Sequence, residues 1–83
     1  MTENEISYQI IGAAIQLHKT IGPGLLESAY ENALAFDLRE LGFHVDQQKG
    51  LPFNYKEVSM NVGYRTDLIV ENKVIVEVKS VEQ

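Results

Sequence analysis

Apolar positions near the start of the chain recur every three or four residues. Ile6, Ile10, Ala13, Leu17 and Ile21 fall on one stripe of an α-helix. Thr2 followed three places later by Glu5 is a capping box that opens this helix. Gly22-Pro23-Gly24 closes it, because glycine accepts the left-handed terminal conformation and proline cannot continue the hydrogen-bond ladder. A second helix is predicted from about Leu25 to Leu41, with Gly42 as its stop. Its apolar residues occupy two arcs: Leu26, Ala29, Ala33 and Phe36 on one, and Tyr30, Leu34, Leu38 and Leu41 on the next. A helix so widely apolar is expected to be covered on more than one side.

Beyond Gly42 the period changes to two. Phe43, Val45 and Gln47 alternate with His44, Asp46 and Gln48, as in a strand. Lys49-Gly50 reads as a turn, and residues 51–55 as a second strand that Pro52 places at a start or an edge. Glu57 to Gly63 reads as irregular, with Gly63 at a bulge or turn. Tyr64 to Val70 and Val74 to Lys79 are stronger strands joined by Glu71-Asn72-Lys73. The predicted order is α-α-β-β-β-β, without repeats or linkers, so residues 1–83 form one domain.

Composition narrows the chemistry. The 83 residues include no cysteine, which excludes a disulfide scaffold, a thiolate zinc site and a cysteine nucleophile, and fits a reducing, cytoplasmic setting. The longest apolar stretch, Ile10 to Ile15, is too short to cross a membrane, and the acidic residues before it do not suit a signal peptide. Seven Lys plus Arg against twelve Asp plus Glu leave a net charge of −5. Nucleic-acid binding would therefore need a local basic strip or bound cations.

The last hairpin concentrates the polar chemistry. Tyr64, Thr66, Leu68 and Val70 share one face of the first strand, and Arg65, Asp67 and Ile69 the other. A three-residue loop pairs Val70 with Val74 and, counting inward, Asp67 with Glu77 and Arg65 with Lys79. A two-residue loop would place the two carboxylates on opposite faces. Burial selects the first register, because a one-residue slip turns an apolar face outward. Asn72 tolerates the left-handed conformation that such a loop requires. Facing carboxylates repel, and a hard cation between them removes the repulsion and gains oxygen ligands. Lys79, on the face of Glu77, suits holding a water or steadying phosphate charge. Spacing alone equally describes a solvated face carrying surface ion pairs.

Glu27 falls on the wheel between Tyr30, Leu34, Leu38 and Leu41, a buried-looking arc where a carboxylate needs a partner. It reads either as a third oxygen ligand or as a first-turn acid complementing the helix dipole. His18 reads as a partly buried, hydrogen-bonded residue, and Tyr30 as a core aromatic whose hydroxyl finds a partner. Two histidines 26 residues apart, with no cysteine, make a poor zinc site. Gln47 and Gln48 read as ordinary strand residues. Gly22-Pro23-Gly24 lacks the spacing and the following Lys-Ser/Thr of a phosphate loop.

Gly24-Leu25-Leu26-Glu27-Ser28-Ala29-Tyr30 spells G-x-x-E-x-x-Y. With residues 17–23 before it, Asp46-Gln47-Gln48, residues 51–55, and Tyr64-Arg65-Thr66-Asp67 through Val76-Glu77-Val78-Lys79, it resembles the bacterial and archaeal GxxExxY proteins. That family is placed in the PD-(D/E)XK nuclease-like superfamily, whose core runs α-β-β-β-α-β. The resemblance implies a restriction-endonuclease-like α+β fold, with two N-terminal helices on a mixed sheet of three to four strands. It implies Asp67, Glu77 and the Val78 carbonyl as ligands of Mg²⁺ or Mn²⁺, Lys79 as the catalytic lysine, and Glu27 as the helix acid. The implied activity is metal-dependent phosphodiester hydrolysis of DNA or RNA; the alternatives are a non-catalytic interaction or assembly module and a structural fragment completed only in a longer protein. Two departures stand out. Thr66 replaces the proline of the superfamily's name, which the family tolerates. The chain also ends where family members continue into a helix and a strand, so an uncovered apolar face and an open sheet edge are expected, with association between copies through that edge or by segment exchange, or poor stability alone.

Overall fold

The capping box at Thr2 opens α1 (Glu3–Ile21) in the computed structural model, which describes residues 1–79. The Glu5 N–H donates to the Thr2 hydroxyl at 3.2 Å, and the Thr2 N–H donates to Glu5 Oε1 at 2.8 Å. The helix ends at Gly22, whose N–H donates to the His18 carbonyl at 2.8 Å and whose φ of +76° then turns the chain out of the helix. Ile6, Ile10 and Leu17 of the predicted stripe are buried, whereas Ile21 in the last turn is exposed.

Helix α2 (Glu27–Glu40) starts after Leu26, an extended residue that makes no side-chain cap. Its buried positions are Glu31, Leu34, Ala35 and Leu38, a single stripe spaced i, i+3, i+4, i+7. The expected two-sided cover is not found, since Phe36 is 61% and Leu41 59% exposed. Only the side facing α1 and the sheet is packed among the described residues.

Three strands follow: β1 (Val45–Tyr55), β2 (Val58–Val70) and β3 (Val74–Val76), in the spatial order β1-β2-β3. The architecture is α+β, and every strand pairing among the described residues is antiparallel. The predicted turn at Lys49-Gly50 does not form, because Lys49 and Gly50 pair with Thr66 and Arg65 in an unbroken strand. The chain reverses instead at Lys56 and Glu57, both with positive φ. Residues 58–63, predicted irregular, thus belong to β2. One long partner strand gives nine residues of 45–55, Lys49 and Gly50 among them, a place in the ladder, which outweighs the local turn preference of Lys-Gly.

The register slips between Leu51, opposite Tyr64, and Phe53, opposite Met60. Asn61, Val62 and Gly63 consequently face Pro52 alone, a bulge where a residue without an N–H is harmless. Gly63 makes room there for the Phe53 ring, since a Cβ would stand 2.6 and 2.8 Å from its Cε1 and Cγ.

The core lies between the helices and one face of the sheet, with Ile6, Ile10 and Leu17 meeting Leu34, Ala35 and Leu38 above Val45, Leu68 and Val70. Ile6, Leu38, Leu68 and Val70 are almost wholly inaccessible, each burial contributing roughly 1.5–3 kcal/mol. This packing fixes the β2–β3 register and hence the place of Asp67.

Candidate functional site

The predicted three-residue loop is present. Val70 pairs with Val74, Ile69 with Ile75 and Leu68 with Val76. Asn72 has a φ of +55°, as required, and so does Glu71. With the Lys73 N–H donating to the Val70 carbonyl at 3.0 Å, the backbone has the positive-φ pair of a type I′ turn. Glu71 gains a local role: its Oε2 accepts from the His44 N–H at 2.7 Å, and its own N–H donates to the His44 carbonyl.

The ladder ends at Leu68 and Val76, one step short of Asp67 and Glu77. Strand β3 is therefore shorter than the predicted Val74 to Lys79, and neither Asp67–Glu77 nor Arg65–Lys79 is a ladder pair. A side chain takes over at that point: the Val78 N–H donates to Asp67 Oδ2 at 2.8 Å. Such a side-chain bond offers the backbone an alternative to the ladder. Asp67 and Val78 are half-buried, and Glu77 and Lys79 are exposed.

Glu27 is exposed at the first position of α2, not on a buried arc. That placement suits an acid complementing the helix dipole, an effect of about 0.3–1 kcal/mol. The α2 carboxylate connected to Asp67 is Glu31, one turn further on and only 7% exposed. Gln48 Nε2 donates to Glu31 Oε1 at 2.6 Å and to Asp67 Oδ1 at 3.2 Å. Gln47 Nε2 donates to Glu31 Oε2 at 3.0 Å and to Asn32 Oδ1 at 2.8 Å. Arg39 completes the network by donating from Nη1 to Gln47 Oε1 at 3.1 Å and from Nη2 to the Val45 carbonyl at 2.7 Å.

Two consecutive strand residues normally point to opposite faces. Gln48 escapes this rule through a φ of +51°, which lets both amides address the same buried carboxylate. Gln47 and Gln48 are therefore not ordinary strand residues, and Glu31 escaped the sequence reading altogether. The available signal for Glu31 was its spacing from Leu34, Ala35 and Leu38, which put a carboxylate on the buried stripe. Nothing local announced the left-handed Gln48.

His18 is exposed rather than partly buried, though its Nδ1 lies 3.4 Å from the Tyr30 hydroxyl. Tyr30 packs against the core and donates its hydroxyl to the Gly22 carbonyl, tying α2 to the end of α1. Asp46 lies 3.3 Å from His44 Nε2 and 3.6 Å from Lys49 Nζ on the surface.

The oxygen donors of Asp67, Glu77 and the Val78 carbonyl suit a hard divalent cation in kind. Among the described residues, however, no three His, Asp or Glu side chains gather closely enough to hold one. Both oxygens of Asp67 and both of Glu31 are engaged by N–H donors instead. No described helix is long and apolar enough to cross a membrane.

Comparison with known proteins adds one finding. No curated protein and no solved structure matches the chain. A sequence model described as the PD-(D/E)XK nuclease superfamily matches residues 4–83. That match spans both helices, all three strands and the segment carrying Asp67, Glu77 and Lys79, and on it the chain belongs to the PD-(D/E)XK nuclease superfamily.

Proposed function

We propose that this chain is a GxxExxY-type member of its superfamily and a Mg²⁺- or Mn²⁺-dependent phosphodiester hydrolase acting on DNA or RNA. The observation that carries this reading is the seat of Asp67. It stands where the β2–β3 ladder gives way, its carboxylate takes the Val78 N–H at 2.8 Å, and Glu77 and Lys79 flank that residue. Asp67, Glu77 and the Val78 carbonyl would hold the cation, with Glu27 as the acid contributed by α2. A bound divalent ion supplies polarisation of the phosphate and offsets the acidic charge of the site. Lys79 brings a positive charge to the phosphate as negative charge develops on it. The proposed setting is cytoplasmic, with copies associating through an uncovered sheet edge or by segment exchange.

Calorimetric titration of Mn²⁺ and Mg²⁺ into wild type, Asp67→Asn and Glu77→Gln tests the reading. Saturable binding in wild type that both substitutions abolish, together with metal-dependent cleavage lost in the same variants, is the expected result. A well-folded wild type that binds neither ion overturns it.

A second reading, a non-catalytic interaction module on the same fold, is favoured by the net charge of −5 and by the lack of a three-acid cluster among the described residues. It predicts no metal-dependent cleavage with any nucleic acid, in wild type or in variants at Asp67 or Glu77.

A further inference from the structure

We infer that Gln48 is a positioning residue for Asp67 and that buried Glu31 is its anchor, so that helix α2 sets the orientation of the strand carboxylate through one bridging amide. The inference rests on the reading of Asp67 as a working residue of the site.

Three observations converge on it. Glu31 is a carboxylate at 7% exposure, and a buried charge persists only where its oxygens are hydrogen-bonded. Its two oxygens are shared between two amides, Oε1 for Gln48 and Oε2 for Gln47. These amides differ in their second acceptor. The Gln47 amide turns to Asn32 on α2, and its carbonyl oxygen is held by Arg39 of the same helix. The Gln48 amide turns to Asp67 Oδ1. A primary amide carries two hydrogens on nitrogen, so Gln48 can serve Glu31 and Asp67 at once.

The backbone supports the same arrangement. A φ of +51° is unfavourable for a residue with a Cβ, and such conformations persist where the surroundings impose them. Here it brings a second consecutive amide onto Glu31 and within reach of Asp67.

Asp67 is thereby held at both oxygens, by Gln48 on Oδ1 and by the Val78 N–H on Oδ2. Two donors from different segments fix the plane of a carboxylate, as outer partners do for groups that ligate metals. Glu31 is buried, Asp67 half-buried and Gln48 exposed, so the bridge runs from the core to the surface where a ligand would arrive.

Gln47 supplies the control, because it contacts Glu31 as Gln48 does but has no bond to Asp67. Gln48→Gly removes the amide and relieves the left-handed strain, and Gln48→Asn keeps an amide on a side chain too short to span both carboxylates. The first readout is the Val78 backbone amide proton by NMR in metal-free protein, since that group donates to Asp67. It should shift upfield in Gln48→Gly, Gln48→Asn and Glu31→Ala, and stay near its wild-type position in Gln47→Ala. The second readout is Mn²⁺ affinity, expected to fall about tenfold or more in the Gln48 variants and to change little in Gln47→Ala. An unmoved Val78 resonance in folded Gln48→Gly, or an equal shift in Gln47→Ala, overturns the inference. If Val78 responds as expected but wild type binds no Mn²⁺, the positioning stands and the hydrolase reading fails.

Discussion

Replacing Gly63 with alanine should destabilise the protein through one identifiable collision. The added Cβ would stand 2.6 Å from Cε1 and 2.8 Å from Cγ of Phe53, well inside van der Waals contact. The backbone at this bulge is paired on either side, by Leu51 with Tyr64 and Phe53 with Met60, so the ring is the part that moves. Phe53 is 39% exposed, which keeps the cost below that of overpacking a sealed core. Swinging out sacrifices its edge-on contact with Tyr64, whose ring centroid is 5.9 Å away. Such a contact contributes about 0.5–1.5 kcal/mol, and newly exposed ring surface adds to the loss. A total of about 1–2 kcal/mol follows, equivalent to a fall in Tm of roughly 5–15 °C for a domain of this size. Thermal unfolding by circular dichroism measures it directly. In a Phe53→Ala background the same substitution should cost nothing or stabilise slightly, because the obstacle is gone and a strand glycine has been removed. Gly63→Ala melting within about 1 °C of wild type, or losing as much stability without the Phe53 ring as with it, would refute the collision.

Gly12 is the contrasting case: it sits within α1 with nothing within 4 Å of a built Cβ, so Gly12→Ala should raise stability by about 0.5–1 kcal/mol in the same melting assay. Tyr30→Phe deletes the hydroxyl bond to the Gly22 carbonyl and should cost about 1 kcal/mol by denaturant titration, with an unchanged m value. Thr2→Ala removes the capping hydroxyl of α1 and should cost about 1 kcal/mol, read as a lower Tm. The cap also has a pH signature. Hydrogen bonds from the Thr2 backbone, then from its side chain, hold the Glu5 carboxyl below its ordinary value of 4.5. A depressed folded-state value means that this stabilisation is complete above pH 4.5 and fades as pH falls through the lower folded value. The Tm difference between wild type and Glu5→Gln should accordingly shrink on acidification; a gap that widens would contradict the cap.

Much of this structure follows from local rules that a sequence displays openly. Thr2 and Glu5 start α1 because the capping geometry spans only four residues, and Gly22 ends it because that position has a positive φ. The Val70–Val74 pairing follows from alternation, since a slip would turn Leu68 and Val70 out of the core. Segments whose outcome depends on a distant partner carry a weaker local signal. Lys49-Gly50 resembles a turn in isolation, yet the length of β2 holds it in a ladder and moves the reversal to Lys56 and Glu57. The apolar breadth of α2 suggested cover on two sides, whereas only the stripe facing α1 and the sheet is packed.

The candidate site divides along the same line. The sequence alone determined the Val70–Val74 register that sets Asp67 at the end of the β2–β3 ladder, because register along a buried strand is a matter of counting. Tertiary structure decided that the ladder stops before Asp67, that Glu27 lies exposed at the start of α2, and that Glu31 is the helix carboxylate joined to the strand. The last of these goes with the left-handed conformation of Gln48, which turns its amide toward both carboxylates. A hydrogen bond between residues 17 or 19 positions apart leaves no periodic trace in the chain, because its geometry exists only after the core has brought helix and sheet together.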